Sequence, residues 1–331
     1  MESVLIGSYD TLLLDLDGVV YLGRHAVPGA PEALVRARDA GVRLAYVTNN
    51  ASRTPAAIAA HLASLGAPAT PDDVVTSSQA AARLIAERVP AGSAVLVVGG
   101  MGLRTAVRAQ GLRPVTTAAE EPVAVVQGIS PDLSYGLLGE GALAVRQGAW
   151  FVAANGDTTM PTNRGELPGN GAMTRVIATA TGVDPVVAGK PEPPLHRESM
   201  LRTGAERPLI VGDRLDTDIE AATRAEVDSL LVLTGVTGPM DLLTAPPEHR
   251  PTHIGADLSA LLQPPAPVAR EEDRWTREGW TGWWEDGRLR LTGEGETLDG
   301  LRVACAAVWA RMTANRPDED TLKQAAEALN L

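Results

Sequence analysis

The segment that most constrains the fold is an apolar run that ends in two carboxylates and a glycine. Residues 12–16 are predicted to form a buried strand, with Asp15, Asp17 and Gly18 at its end. Because strand side chains alternate between faces, Asp15 and Asp17 project to the same side. Two neighbouring carboxylates repel each other unless a cation, a shared proton or a division of roles relieves the repulsion. Mg²⁺ prefers such oxygen ligands, so the pattern indicates a metal site in which one carboxylate attacks and the other transfers a proton.

Three later apolar runs also end in residues of the kinds that bind phosphate or metal ions. The runs end in Thr48, Asn49 and Asn50, in Lys190, and in the acidic group Asp213, Asp216 and Asp218. Strands and helices alternate in residues 1–78 and again in 185–262, which predicts a parallel, doubly wound sheet. Ligands of such sheets bind outside the carboxyl ends of the strands. The sequence therefore predicts a metal-assisted phosphate site at these ends.

In this order, the four segments resemble the motifs of the haloacid dehalogenase-like (HAD) phosphatases. The triplet from Thr48 to Asn50, the long segment before Lys190 and the run 212–219 are similar to those of subfamily IIA, which includes p-nitrophenyl phosphatases, phosphoglycolate phosphatases and NagD-like enzymes. The resemblance covers about residues 1–262. It implies an α/β fold, with a Rossmann-like HAD core and an inserted C2-type α/β cap.

The 331 residues exceed one ordinary domain, and the resemblance implies how they divide. We expect the HAD core at residues 1–78 and 185–262, the C2 cap at 79–184, and a small α+β module at 270–331. The proline-rich stretch 263–267 is predicted to be an extended linker.

The C-terminal module differs in composition from the rest of the chain. Five of the six tryptophans lie in residues 270–331, and the dipeptide Asp286-Gly287 predicts the turn of a β-hairpin. The module resembles a short tail, related to GNAT acyltransferases, that some actinobacterial subfamily IIA phosphatases carry. Its sequence has no recognisable loop for the pyrophosphate of acyl-CoA, so acyl transfer is not expected. Trp280, Trp283 and Trp284 are expected to belong to its core, and a ligand platform is the alternative.

The resemblance implies catalytic roles for Asp15, Asp17 and Lys190. Asp15 is the expected nucleophile, which forms an aspartyl-phosphate and so divides a difficult hydrolysis into two easier steps. Asp17 is the expected general acid/base, which protonates the leaving alkoxide and later accepts a proton from the attacking water. Lys190 is expected to neutralise phosphoryl oxygens and to hold Asp15 in place. The structural alternatives are a strand-end cap for Asp15 and a solvated loop position for Lys190.

The same resemblance implies which residues bind the phosphate group. Thr48 is expected to donate to a phosphoryl oxygen, together with the backbone amide of Asn49. Asn50 and Lys190 complete the expected substrate-binding set. The alternative role for Thr48 is to cap the following helix, although Ser52 is the better candidate for that cap.

Magnesium is the cofactor that the resemblance implies. Its expected ligands are the carboxylates of Asp15 and Asp213 and the backbone carbonyl of Asp17, with a phosphoryl oxygen and waters completing the coordination. Asp218 is expected to act through water or by orienting Asp213. Asp216 is expected to cap the next helix.

Two cap loops, at residues 155–161 and 169–172, face the core site and select the substrate in the resembling family, and plain surface turns are the alternative. Their side chains are small or apolar, without a basic cluster, which favours a small and uncharged leaving group. Actinobacterial members with such a tail resemble glycerol 3-phosphate phosphatases. We therefore expect glycerol 3-phosphate as substrate, ahead of 2-phosphoglycolate and of sugar or nucleoside monophosphates. A binding or regulatory role of the C-terminal module is the alternative from another class.

Charge and cysteine content restrict the partners. The net charge is −12 without a basic block, which argues against nucleic-acid and anionic-membrane binding. Cys305 is the only cysteine, which suits a reducing cytoplasm, and no apolar run approaches the length of a membrane span. The expected partner is a small phosphorylated metabolite. The sequence does not decide whether the chain forms a homo-oligomer, although many members of the resembling subfamily dimerise through the cap.

Overall fold

The computed structural model describes residues 4–162, 164–311 and 319–329. The chain divides into two compact units, of which the first contains Met1–Leu44 and Glu206–Leu331 and the second contains Ala45–Ala205. The domain boundaries expected from the sequence stay a prediction.

The strands are numbered here in chain order. They are β1 (Thr11–Leu14), β2 (Tyr21–Leu22), β3 (His25–Ala26), β4 (Arg43–Thr48), β5 (Val74–Thr76), β6 (Ala94–Val98), β7 (Arg113–Val115), β8 (Ala124–Gln127), β9 (Trp150–Ala153), β10 (Thr159–Thr162), β11 (Gly165–Pro168), β12 (Val186–Val187), β13 (Pro208–Gly212), β14 (Asp228–Val232), β15 (His253–Gly255), β16 (Ala269–Glu271), β17 (Arg274–Arg277), β18 (Trp280–Glu285) and β19 (Arg288–Thr292).

The helices follow the same convention. They are α1 (Ala30–Asp39), α2 (Pro55–Ser64), α3 (Ser77–Ala86), α4 (Met101–Ala109), α5 (Tyr135–Arg146), α6 (Asn170–Thr181), α7 (Pro193–Thr203), α8 (Glu220–Ala225), α9 (Pro239–Leu243), α10 (Thr297–Arg311) and α11 (Glu319–Leu329), and a π-helical turn covers Leu215–Ile219. In the described ranges, no helix combines the length and the apolar character that a membrane crossing requires.

The first unit contains a parallel sheet in the order β15-β14-β13-β1. Strand β1 runs in register with β13, from Thr11 opposite Pro208 to Leu14 opposite Val211. Every residue of both strands is buried, as is usual for parallel strands covered on both faces. The parallel pairing brings the segments after β1 and β13 to the same edge of the sheet.

The C-terminal part of the first unit is an antiparallel sheet in the order β16-β17-β18-β19, against which α10 packs. The turn between β18 and β19 has positive φ at Asp286 (48°) and Gly287 (77°), as the sequence predicted. Its core is continuous with that of the parallel sheet: the cluster contains Leu242 of α9 together with Trp280 of β18 and Leu301 of α10. The expected burial of tryptophans in this module is confirmed for Trp280.

The second unit contains a parallel sheet in the order β12-β9-β8-β6-β7, a parallel pair of β4 and β5, and the hairpin of β10 and β11. Its core includes Leu96 of β6, Phe151 of β9 and Ile177 of α6. Together the two parallel sheets and their helices confirm the predicted α/β class.

Candidate active site

Asp15 and Gly18 lie in the turn that follows β1. The N–H of Asp15 donates to the carbonyl oxygen of Val211 at 2.8 Å, which extends the pairing of β1 with β13 by one residue. Gly18 has a φ of +81° and donates its N–H to the carbonyl oxygen of Tyr21 at 2.9 Å. A side chain at Gly18 would collide with the carboxylate of Asp213. Glycine therefore permits both the left-handed turn and its close approach to Asp213.

Asp213 and Asp218 are carboxylates that follow β13, and both are only 1% exposed. Oδ2 of Asp213 accepts the N–H of Val236 at 2.7 Å, and the backbone carbonyl of Asp213 accepts the N–H of Thr237 at 3.1 Å. Asp218 lies on the π-helical turn, and its Oδ2 accepts the N–H of Arg214 at 3.2 Å. Because a buried charge is tolerated only when it is paired or hydrogen-bonded, these backbone donors help to hold both carboxylates inside the protein.

Three carboxylates of the first unit form a cluster with the composition of a metal site. Asp15, Asp213 and Asp218 each contribute an oxygen, and these oxygens lie within 4.8 Å of one another. Such crowding is unfavourable without a cation, and an all-oxygen set fits a hard divalent ion such as Mg²⁺. The cluster contains both carboxylates predicted as metal ligands. It also includes Asp218, which was predicted to act through a water molecule or by orienting Asp213 and not as a direct metal ligand.

Asp17 lies beside this cluster in sequence, and its side chain is exposed. The hydroxyl of Tyr21 approaches its Oδ2 at 3.5 Å. Access to solvent suits a group that exchanges protons with substrate and water. Its predicted role as general acid/base, and that of its carbonyl as a metal ligand, stay predictions.

Thr48 and Asn50 organise the end of β4 in the second unit. Thr48 is buried, and its Oγ1 accepts the N–H of Asn50 at 3.1 Å. Oδ1 of Asn50 in turn accepts the N–H of Ser52 at 2.9 Å and that of Arg53 at 3.1 Å. The helix cap predicted at Ser52 is wrong: Thr54 caps α2, with its Oγ1 accepting the N–H of Ala57 at 3.3 Å. The reason is that α2 begins at Pro55, so Thr54 and not Ser52 directly precedes its first residue.

Lys190 is buried in the second unit, where its Nζ donates to the carbonyl oxygen of Val47 at 3.3 Å. The side chain of Asn49 joins the two segments: its Oδ1 accepts the N–H of Lys190 at 2.8 Å, and its Nδ2 donates to the carbonyl oxygen of Lys190 at 3.2 Å. The alternative of a solvated loop lysine is therefore wrong. The structure brings together the predicted phosphate-binding residues of the second unit.

His196, on α7, is a buried residue that the sequence analysis missed. It is 2% exposed, and neither ring nitrogen has a hydrogen-bond partner among the described residues. Burial lowers the pKa of its imidazole to about 3, and the positive charge of Lys190 lowers it in the same direction. The ring is therefore neutral at physiological pH. No pattern in the neighbouring residues indicated this burial.

Asp216 does not cap a helix, contrary to the prediction. Its carboxylate accepts two hydrogen bonds from the guanidinium of Arg214, from Nε at 3.1 Å and from Nη2 at 2.8 Å. The residue that precedes α8 is Ile219, because a π-helical turn intervenes. Burial would raise the pKa of the Asp216 carboxyl, but the hydrogen bonds and charge of Arg214 outweigh it and lower that pKa below its usual value.

Comparison with known families identifies the class of protein that these features define. A model of haloacid dehalogenase-like hydrolases matches residues 12–113, and a HAD-hydrolase-like model matches residues 187–261. A model of GCN5-related N-acetyltransferase-like domains matches residues 277–331. The chain belongs to the haloacid dehalogenase-like hydrolases. Within them it is a phosphatase of subfamily IIA with a GNAT-like tail, as the sequence predicted.

Individual relatives support this assignment. The chain is 51% identical over 255 residues to the D-glycerol 3-phosphate phosphatase of Mycobacterium tuberculosis. The aligned region covers 77% of this chain and 71% of the relative. It is 43% identical to a 5'-nucleotidase of Bacillus subtilis, over 70% of this chain and 89% of the relative. The crystal structure of glycerol phosphate phosphatase from M. tuberculosis in complex with magnesium is similar with a TM-score of 0.88 and 44% identity, covering 99% of this chain and 98% of that one.

Proposed function

We propose that this phosphatase hydrolyses glycerol 3-phosphate in a Mg²⁺-dependent reaction that passes through an aspartyl-phosphate on Asp15. The observation that carries the substrate assignment is the 51% identity to the mycobacterial D-glycerol 3-phosphate phosphatase. The likeness to the solved mycobacterial enzyme extends over 99% of this chain and so includes the tail.

In the first step, a carboxylate oxygen of Asp15 attacks phosphorus and the bond from phosphorus to the glycerol oxygen breaks. Asp17 gives its proton to the departing alkoxide, which leaves as glycerol. In the second step, a water attacks the aspartyl-phosphate while Asp17 takes a proton from it. Phosphate leaves, and the Asp15 carboxylate and the Asp17 acid are regenerated.

The remaining residues bind the phosphoryl group. Lys190, Thr48 and the backbone N–H of Asn49 are proposed to bind its oxygens, with Asn50 shaping the loop around them. Asp15, Asp213 and the carbonyl of Asp17 would hold Mg²⁺, which would supply positive charge that offsets the negative charge of these oxygens. Preorganised positive charge is the main catalytic contribution in phosphoryl transfer. Asp218 is proposed to keep Asp213 in place.

The test is a phosphate-release assay over small phosphomonoesters. Glycerol 3-phosphate should give the highest kcat/KM, above 2-phosphoglycolate and above sugar and nucleoside monophosphates. Activity should disappear in EDTA and return with excess Mg²⁺. A higher kcat/KM for another ester would overturn the substrate assignment, and undiminished turnover in chelator would remove the metal from the mechanism.

The alternative binding role of the C-terminal module has less support. The GNAT-like match covers residues 277–331 alone, and Leu301 and Trp280 of this module are engaged with Leu242 in one hydrophobic cluster. These contacts therefore favour a structural role for the C-terminal module.

Two finer expectations belong to the same proposal. A cytoplasmic location is supported by the single cysteine, Cys305, which leaves no pair for an internal disulfide. Assembly into a homo-oligomer is the second, and sedimentation of the full-length chain would test it.

A further inference from the structure

We infer that Asn49, Asn155, Asp157 and Asn170 form a hydrogen-bonded amide clamp that positions Lys190 for phosphate binding. The inference rests on the proposed function, because it gives a task to residues around the phosphate-binding lysine. The two cap loops, expected from the sequence to select the substrate or to be plain turns, have a positioning role instead.

Asn49 is the centre of the clamp. Its side-chain amide makes two hydrogen bonds to the backbone of Lys190. Oδ1 accepts the N–H of Lys190 at 2.8 Å, and Nδ2 donates to the carbonyl oxygen of Lys190 at 3.2 Å. The Nδ2 group also donates to Oδ1 of Asp157 at 3.0 Å, so both of its hydrogens are used. A reversed amide would place a donor against the N–H of Lys190, which fixes the orientation of the Asn49 amide.

Asn155 and Asn170 extend the clamp away from Lys190. Nδ2 of Asn155 donates to the carbonyl oxygen of Asn49 at 2.6 Å, and Oδ1 of Asn155 accepts the N–H of Asp157 at 3.2 Å. Nδ2 of Asn170 donates to the carbonyl oxygen of Asn155 at 2.8 Å. Asn155 and Asn170 are 3% and 1% exposed. Because breaking a buried hydrogen bond leaves a desolvated polar group, such a network favours one arrangement of the segments it joins.

Glycines permit the close packing that the clamp requires. A Cβ at Gly189 would lie 2.5 Å from Oδ1 of Asn49, which is closer than real side chains approach. A Cβ at Gly169 would collide with the carbonyl oxygen of Asp157, and one at Gly171 with the carbonyl oxygen of Gly156. The glycine-rich pattern around Asn170 therefore follows from backbone packing against the loop that carries Asp157.

Positioning and selection predict different kinetics. A displaced Lys190 weakens the binding of every phosphate ester in the same proportion, because all share the phosphoryl group. A substrate-selecting loop instead changes the ratio of kcat/KM between two esters. Free inorganic phosphate, which has no leaving group, reports on the residues that bind the phosphoryl group, Lys190 among them, and not on a loop that contacts the leaving group.

The variants for the test are Asp157→Ala, which removes the acceptor of Asn49, and Asp157→Asn, which keeps a carbonyl oxygen as acceptor. The control is Asp184→Ala, because Asp184 is an exposed carboxylate of the same unit. The readouts are the inhibition constant of inorganic phosphate, the KM and kcat for glycerol 3-phosphate and for 2-phosphoglycolate, and the Mg²⁺ concentration for half activity.

We expect Asp157→Ala to raise the phosphate inhibition constant and both KM values about tenfold, which corresponds to the loss of one half-buried hydrogen bond to a charged group. Half-activating Mg²⁺ should not change, Asp157→Asn should stay within about threefold of the wild type, and Asp184→Ala should match the wild type. A changed ratio between the two esters, a failed rescue by asparagine, or an unaltered alanine variant would each overturn the inference.

The test also covers a variant that does not fold and a wild type that has no phosphatase activity. If Asp157→Ala does not fold, Asn49→Asp replaces it, because this change puts an acceptor against Asp157 and against the carbonyl of Lys190; unaltered phosphate inhibition in that variant would also overturn the inference. If the wild type hydrolyses no phosphate ester, the proposed function fails. The inference would then still be tested by the binding of inorganic phosphate to the wild type and to each variant, measured by thermal shift.

Discussion

Arg302 of α10 donates two hydrogen bonds to the carbonyl oxygen of Ile254 in β15, from Nε at 3.1 Å and from Nη2 at 2.5 Å. β15 is the outer strand of the parallel sheet of the first unit, so Arg302 binds a backbone group of that strand. Trp309 of the same helix donates its indole N–H to the carbonyl oxygen of Leu242 at 3.2 Å. The GNAT-like tail is therefore part of the structure of the hydrolase core.

The first prediction concerns removal of the tail. A chain that ends at Gln263 loses Trp280 and Leu301 and exposes Leu242 and Leu243 of α9, which share a hydrophobic cluster with them. Each buried side chain of this size stabilises the fold by about 1.5–3 kcal/mol, and a whole domain by about 5–15 kcal/mol. We expect the truncated chain to be insoluble or to unfold at a much lower temperature than the full chain. A soluble fragment with undiminished stability would contradict this.

The second prediction concerns the acid sensitivity that Asp299 confers. Oδ1 of Asp299 accepts from Arg277 at 2.5 Å and from Arg302 at 2.6 Å. Burial would raise the pKa of its carboxyl, but these hydrogen bonds and charges outweigh it and lower that pKa below its usual value. Because the folded state binds the proton more weakly, this stabilisation is present above the unfolded pKa and is lost as the pH falls below it.

We expect Asp299→Asn to lower the free energy of unfolding at pH 7 by about 1–3 kcal/mol. The variant should also lose less further stability than the wild type when the pH falls from about 4 to about 2. Urea titrations at these pH values measure both effects. Asp286→Asn, at an exposed turn of the same module, is the control. Parallel pH profiles for the wild type and Asp299→Asn would refute the assignment.

The third prediction concerns His196. Its burial and the charge of Lys190 lower the pKa of the folded imidazole to about 3, whereas an unfolded histidine titrates near about 6.5. Between these values the unfolded chain binds more protons. The stability gained from the neutral ring is therefore present above the unfolded pKa and is lost as the pH falls through this window.

We expect His196→Gln to flatten this dependence. Between pH 7 and pH 5 the wild type should lose about 2 kcal/mol more unfolding free energy than the variant, at about 1.4 kcal/mol per pH unit below 6.5. His25→Gln, at an exposed histidine, serves as the comparison. Equal losses in wild type and His196→Gln would show that the imidazole is not held neutral.

The fourth prediction concerns the metal. Asp213→Asn weakens the carboxylate cluster, so the dissociation constant of Mg²⁺ measured by calorimetry should rise at least about tenfold. Asp216→Asn is the matched control, because Asp216 lies three residues after Asp213 in the same segment but binds Arg214. Its Mg²⁺ affinity should equal that of the wild type. Equal weakening in both variants would indicate a general effect of charge and not coordination.

Local sequence patterns predicted the elements well where the pattern itself determines the structure. The strand predicted at residues 12–16 corresponds to β1 (Thr11–Leu14), and the Asp286-Gly287 hairpin turn is present. The apolar runs that end in Asp15 and Asp213 are neighbouring parallel strands, and their carboxylates cluster as predicted. Such features follow from side-chain periodicity and from turn chemistry, both of which depend on adjacent residues.

The features that the sequence did not reveal depend on contacts between distant residues. Asn49 and Lys190 are 141 positions apart, and no local pattern indicates that their polar groups are complementary. The π-helical turn at Leu215–Ile219 displaced the cap predicted at Asp216, because Arg214 offers that carboxylate a stronger partner. His196 lacks any neighbouring pattern that would indicate its burial. The catalytic roles of Asp15, Asp17, Thr48 and Lys190 stay predictions.

Turnover of glycerol 3-phosphate by Asp15→Asn tests the central claim most directly. Asparagine keeps the size of the side chain but lacks the nucleophilic carboxylate, so phosphate release should fall to background while the melting temperature stays near that of the wild type. Wild-type enzyme quenched in acid during turnover should carry one phosphoryl group on the peptide that contains Asp15. Substantial turnover by a folded Asp15→Asn variant would contradict the mechanism.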